Sequence, residues 1–184
     1  NTANGNQALY TNSTGLHNTA NGSHALYSNT GNNNTTNGSH ALYTNSTGND
    51  NTANGMSALR FNTTGSNNTA TGFTALNTNT TGSNNTAIGY QADVASNNLT
   101  NATAIGNGAS VAASNTIQLG NTSITNVKTS GTLTAGAVTI PNTDGTANQV
   151  LKTDGSGTLS WSTPSTTATA YSGILPIANG GTGS

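Results

Sequence analysis

The chain has 184 residues, of which 4% are charged and 30% hydrophobic, and its formal net charge is −1. Its three basic residues are scattered, so no basic surface for nucleic acid is indicated, and no apolar run reaches the roughly 20 residues of a membrane-spanning helix. Cysteine is absent, which excludes disulfides and cysteine-based zinc sites.

A repeat of seventeen residues fills the first two thirds of the sequence. The repeat unit reads Asn-Thr-Ala-x-Gly-x-x-Ala-Leu, with single departures in some copies, and continues with a polar stretch that ends in glycine; one copy is a residue short. The copies begin at Asn1, Asn18, Asn34, Asn51, Asn68 and Asn85, and a divergent copy follows. Chains with so few apolar residues can fold by stacking such copies, because the copies then share one narrow core.

One copy is too short for a pair of helices, and its threonine, asparagine and glycine disfavour a helix. It has room for two short strands and two turns, with Asn-Gly at one corner and Thr-Gly at the other. We therefore predict an all-β fold in which residues 1–120 form a parallel β-roll, or β-solenoid, of about seven coils. At about 4.8 Å per coil, the rod is roughly 34 Å long. An antiparallel meander stays open, because Asn-Gly also favours hairpins.

The predicted core of one coil is small, with Ala, Leu and one Tyr or Ile in each turn. Coils that bury too little surface alone gain stability by association, so we expect a multimer. The last coils carry Ile88 and Ile105 where the first copies carry Asn, and Val94 stands in the register position of Tyr10, Tyr27 and Tyr43. We expect these more apolar coils to form the better-packed base of the roll.

Residues 115–121 are predicted to close the roll, and residues 121–162 to form a small β-rich module. Strand signals in this module occur at Ile124, Val127, Leu133, Val138 and Ile140. Residues 149–152 and 158–161 flank Thr-Asp-Gly-Ser-Gly, which predicts a hairpin. Trp161, the single tryptophan, is the expected local core anchor.

Residues 163–184 are rich in Ser, Thr and Ala at first and end in Asn-Gly-Gly-Thr-Gly-Ser. This composition predicts a linker followed by the start of a further module. The sequence opens in the middle of a motif, so we expect it to be a fragment of a longer protein.

The Asn-Thr-Ala-Ile-Gly register, clearest at residues 85–90 and 103–107, resembles the head repeat of YadA-like trimeric autotransporter adhesins. That resemblance implies a left-handed β-roll of three chains side by side that binds host surfaces. Three later segments, residues 130–136, 149–155 and 175–183, are similar to segments of phage-type tail-fibre proteins. Together the resemblances imply an extracellular homotrimer in a virion tail fibre or a cell-surface appendage.

We therefore expect a non-enzymatic fibre segment that attaches to a cell surface, with a glycan or polymer as receptor. The candidate ligand-binding residues form one register position, Tyr10, Tyr27 and Tyr43, and are interpreted as a sugar-stacking stripe. The alternative is that these rings pack within the roll or at a subunit contact. A structural spacer, an autotransporter adhesin head and an ice-binding solenoid built on threonine rows stay open as other functions.

No cofactor, metal, nucleic-acid partner or direct membrane insertion is expected of this segment. The acids are Asp50, Asp93, Asp144 and Asp154, with no glutamate. Glycosidase chemistry needs two close carboxylates, and this sequence indicates no such pair; composition alone leaves a Ser–His–Asp triad open.

His24 and His40 share a register position with other polar residues, which predicts a solvent-facing site. Threefold symmetry could instead gather three copies of one histidine around a metal. Sequons for N-glycosylation occur at Asn12, Asn45, Asn62 and Asn79, where the composition alone accounts for them.

Overall fold

The structure is a computed structural model that describes residues 1–131, 133–135, 138–140, 145–156 and 158–164. All regular secondary structure among these residues is β, so the predicted all-β fold is confirmed. Within the same ranges no helix is long and apolar enough to cross a membrane. The chain divides into two compact units, Asn1–Asn126 and Val127–Ser184. Asp144 and most of the predicted linker and further module, residues 165–184, lie outside the described residues.

The first unit is a β-solenoid in which each repeat contributes one short strand to a parallel sheet. These strands are β1 (Thr2–Asn4), β2 (Thr19–Asn21), β3 (Thr35–Asn37), β4 (Thr52–Asn54), β5 (Thr69–Thr71), β6 (Thr86–Ile88), β8 (Thr103–Ile105) and β10 (Ile117–Leu119). Neighbours in the sheet follow chain order, and equivalent residues of successive repeats stand opposite each other, as Ala53 does Ala70. The predicted β-solenoid is confirmed, β10 is the predicted closing coil, and the antiparallel meander is excluded for this unit.

The expected second strand of each coil forms only near the end of the solenoid, as β7 (Asp93–Val94) and β9 (Ser110–Val111). In the earlier coils the same segment is a turn, because its leucines adopt left-handed backbone angles; Leu26 has φ 49° and Leu59 φ 50°. That conformation costs a non-glycine residue about 1–2 kcal/mol. Burying the leucine side chain offsets it, since full burial contributes about 1.5–3 kcal/mol.

The core is a narrow column of small side chains. A typical coil buries the middle alanine of its strand together with the Ala-Leu pair, as Ala53, Ala58 and Leu59 do. The expectation that Ile88 and Ile105 strengthen the core of the last coils is wrong, because they are 45% and 40% exposed, whereas Val94 does lie in the core. Side chains alternate along a strand, so a buried central alanine forces the third residue to face outward.

One column of asparagines, the corner ladder, runs through the solenoid beside this core, and all its members except the first are buried. The amide Nδ2 of Asn62 donates to Oδ1 of Asn45 at 2.7 Å and to the carbonyl oxygen of Gly65 at 2.9 Å. The Oδ1 of Asn62 accepts from Nδ2 of Asn79 at 3.0 Å. The same pattern joins every member of the ladder, namely Asn12, Asn29, Asn45, Asn62 and Asn79.

A second column, the strand-entry ladder, lies immediately before the strands. The Oδ1 of Asn51 accepts the backbone N–H of Asn68 at 3.0 Å, and Nδ2 of Asn51 donates to the carbonyl of Gly65 at 2.9 Å. Its members are Asn1, Asn18, Asn34, Asn51, Asn68 and Asn85. The two ladders provide hydrogen-bond partners for backbone groups at the corners, which hydrophobic side chains could not do. A buried polar group left unpaired costs about 1–3 kcal/mol.

Glycine is required where neighbouring coils approach most closely. Gly38 follows strand β3 with φ 144°, and a Cβ added to it would lie 2.5 Å from the carbonyl oxygen of Gly55 in the next coil. Any other residue there would separate the two coils, which explains why this glycine keeps its register throughout the repeat.

The second unit contains two antiparallel hairpins. Their strands are β11 (Leu133–Ala135), β12 (Val138–Ile140), β13 (Val150–Thr153) and β14 (Leu159–Ser162). The hairpin predicted around Thr-Asp-Gly-Ser-Gly is confirmed as β13–β14. At its turn, Asp154 Oδ1 accepts the N–H groups of Ser156 and Thr158 at 2.8 and 3.2 Å. Hydrogen bonds from the side chain and the N–H of Ser156 lower the pKa of this carboxyl.

Two expectations for the region after residue 120 need correction or refinement. Ile124 and Val127 lie outside the strands and are 53% and 64% exposed. The chain leaves the parallel sheet after β10, and among the described residues no strand includes either of them. Trp161 packs against Gly145, where an added Cβ would lie 2.7 Å from the ring, yet it remains 36% exposed. It is a local packing residue at the surface rather than a buried anchor.

Replacing Asn62 with alanine should lower the free energy of unfolding by about 2 kcal/mol, because the amide of Asn79 and the oxygen of Asn45 each lose a partner. The matched control is Asn54→Ala, since Asn54 is exposed on the strand of the same coil. That substitution should change stability by less than about 0.5 kcal/mol. Urea unfolding measures both, and equal losses would contradict the role assigned to the ladder.

Candidate functional site

The three tyrosines predicted as a ligand stripe form one continuous row along the solenoid. Each follows the leucine position of its coil, and the leucine points inward while the tyrosine stays at the surface. The ring centroids of Tyr10 and Tyr27 are 5.2 Å apart with 14° between the ring planes, and those of Tyr27 and Tyr43 are 5.0 Å apart with 15°. The in-register stacking of the coils sets this spacing.

The stacking determines which part of each ring a ligand can reach. Tyr10 is 63% exposed, whereas Tyr27 and Tyr43 are half-buried. One face of Tyr27 lies against Tyr10 and the other against Tyr43. Inside the row, solvent therefore reaches ring edges and hydroxyl groups, while stacking of a sugar on a ring needs an uncovered face.

Two histidines lie beside the tyrosines. The His24 and His40 rings are stacked with centroids 4.9 Å apart and 7° between planes. His24 also stacks on Tyr27 at 5.6 Å, and His40 is tilted against Tyr43 at 5.5 Å. The histidines are thus half-buried members of the aromatic cluster rather than the simple solvent-facing site predicted from their variable register position.

A serine precedes each of these histidines and contacts it. Ser23 Oγ lies 2.8 Å from Nδ1 of His24, and Ser39 Oγ lies 2.8 Å from Nδ1 of His40. This contact fixes the orientation of each ring. Among the described residues no group of three or more His or Asp side chains is arranged to hold a metal ion.

Arg60 occupies the tyrosine position of the next coil and ends the row. Its guanidinium Cζ lies 6.0 Å from the centroid of the Tyr43 ring and 5.1 Å from that of Phe61, which are cation–π distances. Its Nε is buried without a hydrogen-bond partner in the described part of the chain. Arg60 stands seventeen residues after Tyr43, so the repeat itself puts it in this column, but it was not predicted as a site residue from the sequence. We call the set Tyr10, Tyr27, Tyr43, His24, His40 and Arg60 the aromatic row.

The aromatic row contains a titratable group with a perturbed pKa. Burial, the neighbouring His24 and the charge of Arg60, in that order, lower the pKa of His40. Protonation of His40 would place a further positive charge beside a cation and a second histidine. The neutral ring is therefore favoured near neutral pH.

A second surface feature lies on the strands near the end of the solenoid. The third strand residues Ile88, Ile105 and Leu119 stand in register and are 40–45% exposed. We call these three residues the apolar strand face. A stacked pair, Phe73 and Tyr90, lies just past the adjoining glycine corner, with ring centroids 5.3 Å apart. Upstream, the same third position is filled by Asn and Thr, so the sheet changes from polar to apolar along its length.

The remaining polar candidates are held in structural contacts. Burial raises the pKa of Asp93. Two hydrogen bonds to its carboxylate act in the opposite direction: Thr78 Oγ1 donates at 2.8 Å, and the backbone N–H of Val94 also donates at 2.8 Å. The sequon residues Asn45, Asn62 and Asn79 are fully buried in the corner ladder. In the folded solenoid their amides are therefore inaccessible to glycan attachment.

No family model, curated protein or solved structure matches the chain. Its function has to be inferred from the side chains that the solenoid displays.

The solenoid should lose stability as the pH falls. The pKa of His40 is lower in the folded chain, so the unfolded chain binds the proton more readily. The contribution that His40 makes to the free energy of unfolding is therefore fully present above the usual histidine pKa of about 6.5, and it decreases as the pH falls below that value. The loss should stay below about 1 kcal/mol because solvent screens this partly exposed ring.

The variant His40→Gln tests this origin, since glutamine fills the same register position at Gln7 and Gln91. Thermal unfolding of both chains between pH 7.5 and pH 5 measures the effect. The variant should show the smaller decrease in melting temperature, and an equal decrease would exclude His40 as the cause.

Proposed function

We propose that this chain is a non-enzymatic segment of an extracellular trimeric fibre that attaches to a cell surface. The observation that carries the proposal is the apolar strand face, Ile88, Ile105 and Leu119, which lies on the outside of a rod held together by coil-to-coil hydrogen bonds. A rod of this kind needs no catalytic centre to function, because its work is to position surfaces.

The apolar strand face is suited to contact with copies of the same chain. Its three side chains stand on adjacent parallel strands about 4.8 Å apart, so they form a continuous ridge. Covering them removes apolar surface from water, which contributes about 25 cal/mol per Å². Identical chains place identical ridges around a symmetry axis. The number three comes from the resemblance to the adhesin head repeat.

Attachment is assigned to the outer columns of the roll, and in particular to the aromatic row. Equivalent side chains of successive coils are spaced evenly along the roll, and each chain of a trimer repeats this arrangement. Many weak contacts then act together, because linked sites raise the effective concentration of one another. A spacer without a ligand would need no such cluster of aromatic and cationic groups.

A second function, ice binding, is favoured by one specific observation. The first position of successive strands is threonine in seven of the eight strands of the parallel sheet: Thr2, Thr19, Thr35, Thr52, Thr69, Thr86 and Thr103. This regular hydroxyl column lies on the outer face of the sheet, beside the apolar strand face. A trimer that packs through that sheet would cover the column, so the oligomeric state separates the two functions.

Replacing Ile88 and Ile105 together with asparagine should dissociate the trimer and leave the coil intact, because Asn4, Asn21, Asn37 and Asn54 fill the same position upstream. Light scattering after size exclusion should give three times the 18.2 kDa chain mass for the parent and one chain mass for the variant. Circular dichroism checks the fold.

The matched control is Val127→Asn, which removes an exposed apolar residue outside the strands and should leave the mass unchanged. A trimeric double variant would exclude the apolar strand face as the contact. A folded parent of single mass would contradict the trimer, and inhibition of ice recrystallisation by that monomer would support the second function.

A further inference from the structure

We infer that the aromatic row binds an anionic polysaccharide or related polymer through its carboxylate or phosphate groups. The inference rests on the proposed function, since it names the class of receptor for the surface to which attachment is assigned. It is carried by three independent properties of the row: an arginine held by aromatic rings, two histidines with one ring nitrogen each still available, and ring edges presented to solvent.

The first property is the cation. Arg60 is the only lysine or arginine in the solenoid unit, because Lys128 and Lys152 belong to the second unit. It contacts the rings of Tyr43 and Phe61, which leave its charge uncompensated. Asp50 in the preceding repeat is at a different corner, where its Oδ1 accepts from Nδ2 of Asn33 at 3.0 Å. A guanidinium fork is well suited to a carboxylate or phosphate.

The second property is the pair of histidines. The Nδ1 atoms of His24 and His40 are each occupied by a serine hydroxyl at 2.8 Å. When that hydroxyl donates to Nδ1, the ring proton lies on Nε2 and can be donated to an anion. The two rings are 4.9 Å apart, so they provide two parallel donors one coil apart.

The third property is the orientation of the tyrosine rings. An aromatic ring has a negative face and a positive edge. The faces of Tyr27 are covered by its neighbours, and the edges and hydroxyl groups remain for a ligand. Edges attract anions, whereas uncovered faces would attract cations or the apolar side of a sugar. The stacking thus favours an acidic ligand over a neutral one.

The spacing of these groups favours a polymer over a single small anion. Ring centroids recur every 4.9–5.2 Å along the solenoid, and Arg60 continues the series by one coil. A ligand with regularly repeated charges can contact several coils at once, and each added contact gains from the previous ones. A single carboxylate would meet only one or two donors.

Binding should become tighter as the pH falls. The titratable and charged groups that face one another in the row are His24, His40, Arg60, Tyr27 and Tyr43. An anion compensates the positive charges that otherwise oppose protonation of His40, so protonation of His40 and anion binding assist each other.

The experiment uses the full chain, titrated at low ionic strength with three immobilised polymers: polygalacturonate, poly(glycerol phosphate) and neutral dextran. The site predicts binding to at least one of the two anionic polymers, none to dextran, and higher affinity at pH 5.5 than at pH 7.5. Arg60→Asn should weaken binding at least about fivefold, because a charge-assisted hydrogen bond is lost. Asn77 fills the same register one coil later, so this variant should fold.

Lys152→Asn is the matched control, since it removes the same charge from the second unit and should change the affinity by less than twofold. The double variant His24→Gln, His40→Gln should abolish the pH dependence. Equal affinity for dextran, or equal losses in Arg60→Asn and Lys152→Asn, would overturn the inference. A preference for one anionic polymer supports it and identifies the anion as carboxylate or phosphate.

The two proposals fail in different ways. A trimeric chain that adheres to cells but binds neither anionic polymer leaves the proposed function standing and overturns the anion site. A monomeric chain that binds polygalacturonate through Arg60 supports the anion site and contradicts the trimeric fibre.

Discussion

The hydrogen bond between asparagine side chains of successive coils is the interaction on which the rest of this structure depends. Alanine and leucine fill only a narrow core, so the corners of the coils are held by buried asparagine side chains and the backbone groups they bond. The corner ladder tolerates the one repeat that is a residue short: Asn29 donates to the carbonyl of Gly31, two residues ahead, while Asn45 donates three residues ahead. The bond from Asn45 to Asn29 is still 2.7 Å long.

Because the ladders and glycine columns fix each coil from inside, the outward positions are free to change without loss of the fold. One outward column passes from tyrosine to Arg60 and Asn77, and another from asparagine to Ile88 and Ile105. The two columns give the rod distinct surfaces, one aromatic and cationic, the other apolar. This separation of a regular interior from a variable exterior is what the proposed attachment function requires.

The strict period made the fold largely predictable from the sequence, because only in-register stacking brings equivalent glycines together every seventeen residues. The asparagines were not predictable in the same way. Asn54 is exposed and Asn62 is buried, although both are asparagines of the same repeat. Residue type therefore did not reveal the ladder, and Asn62 was interpreted only as part of a sequon. Alternation within a three-residue strand also reversed the expectation for Ile88. The tyrosine row followed from register, whereas the covered ring faces and the place of Arg60 required coordinates.

Hydrogen exchange of asparagine side-chain amides, followed by NMR, tests the role of the ladders most directly. The amide protons of Asn45, Asn62 and Asn79 are buried and bonded in every coil, so they exchange only when the solenoid opens. They should exchange orders of magnitude more slowly than those of the exposed Asn54. Equal exchange rates for the buried and exposed amides would contradict the account.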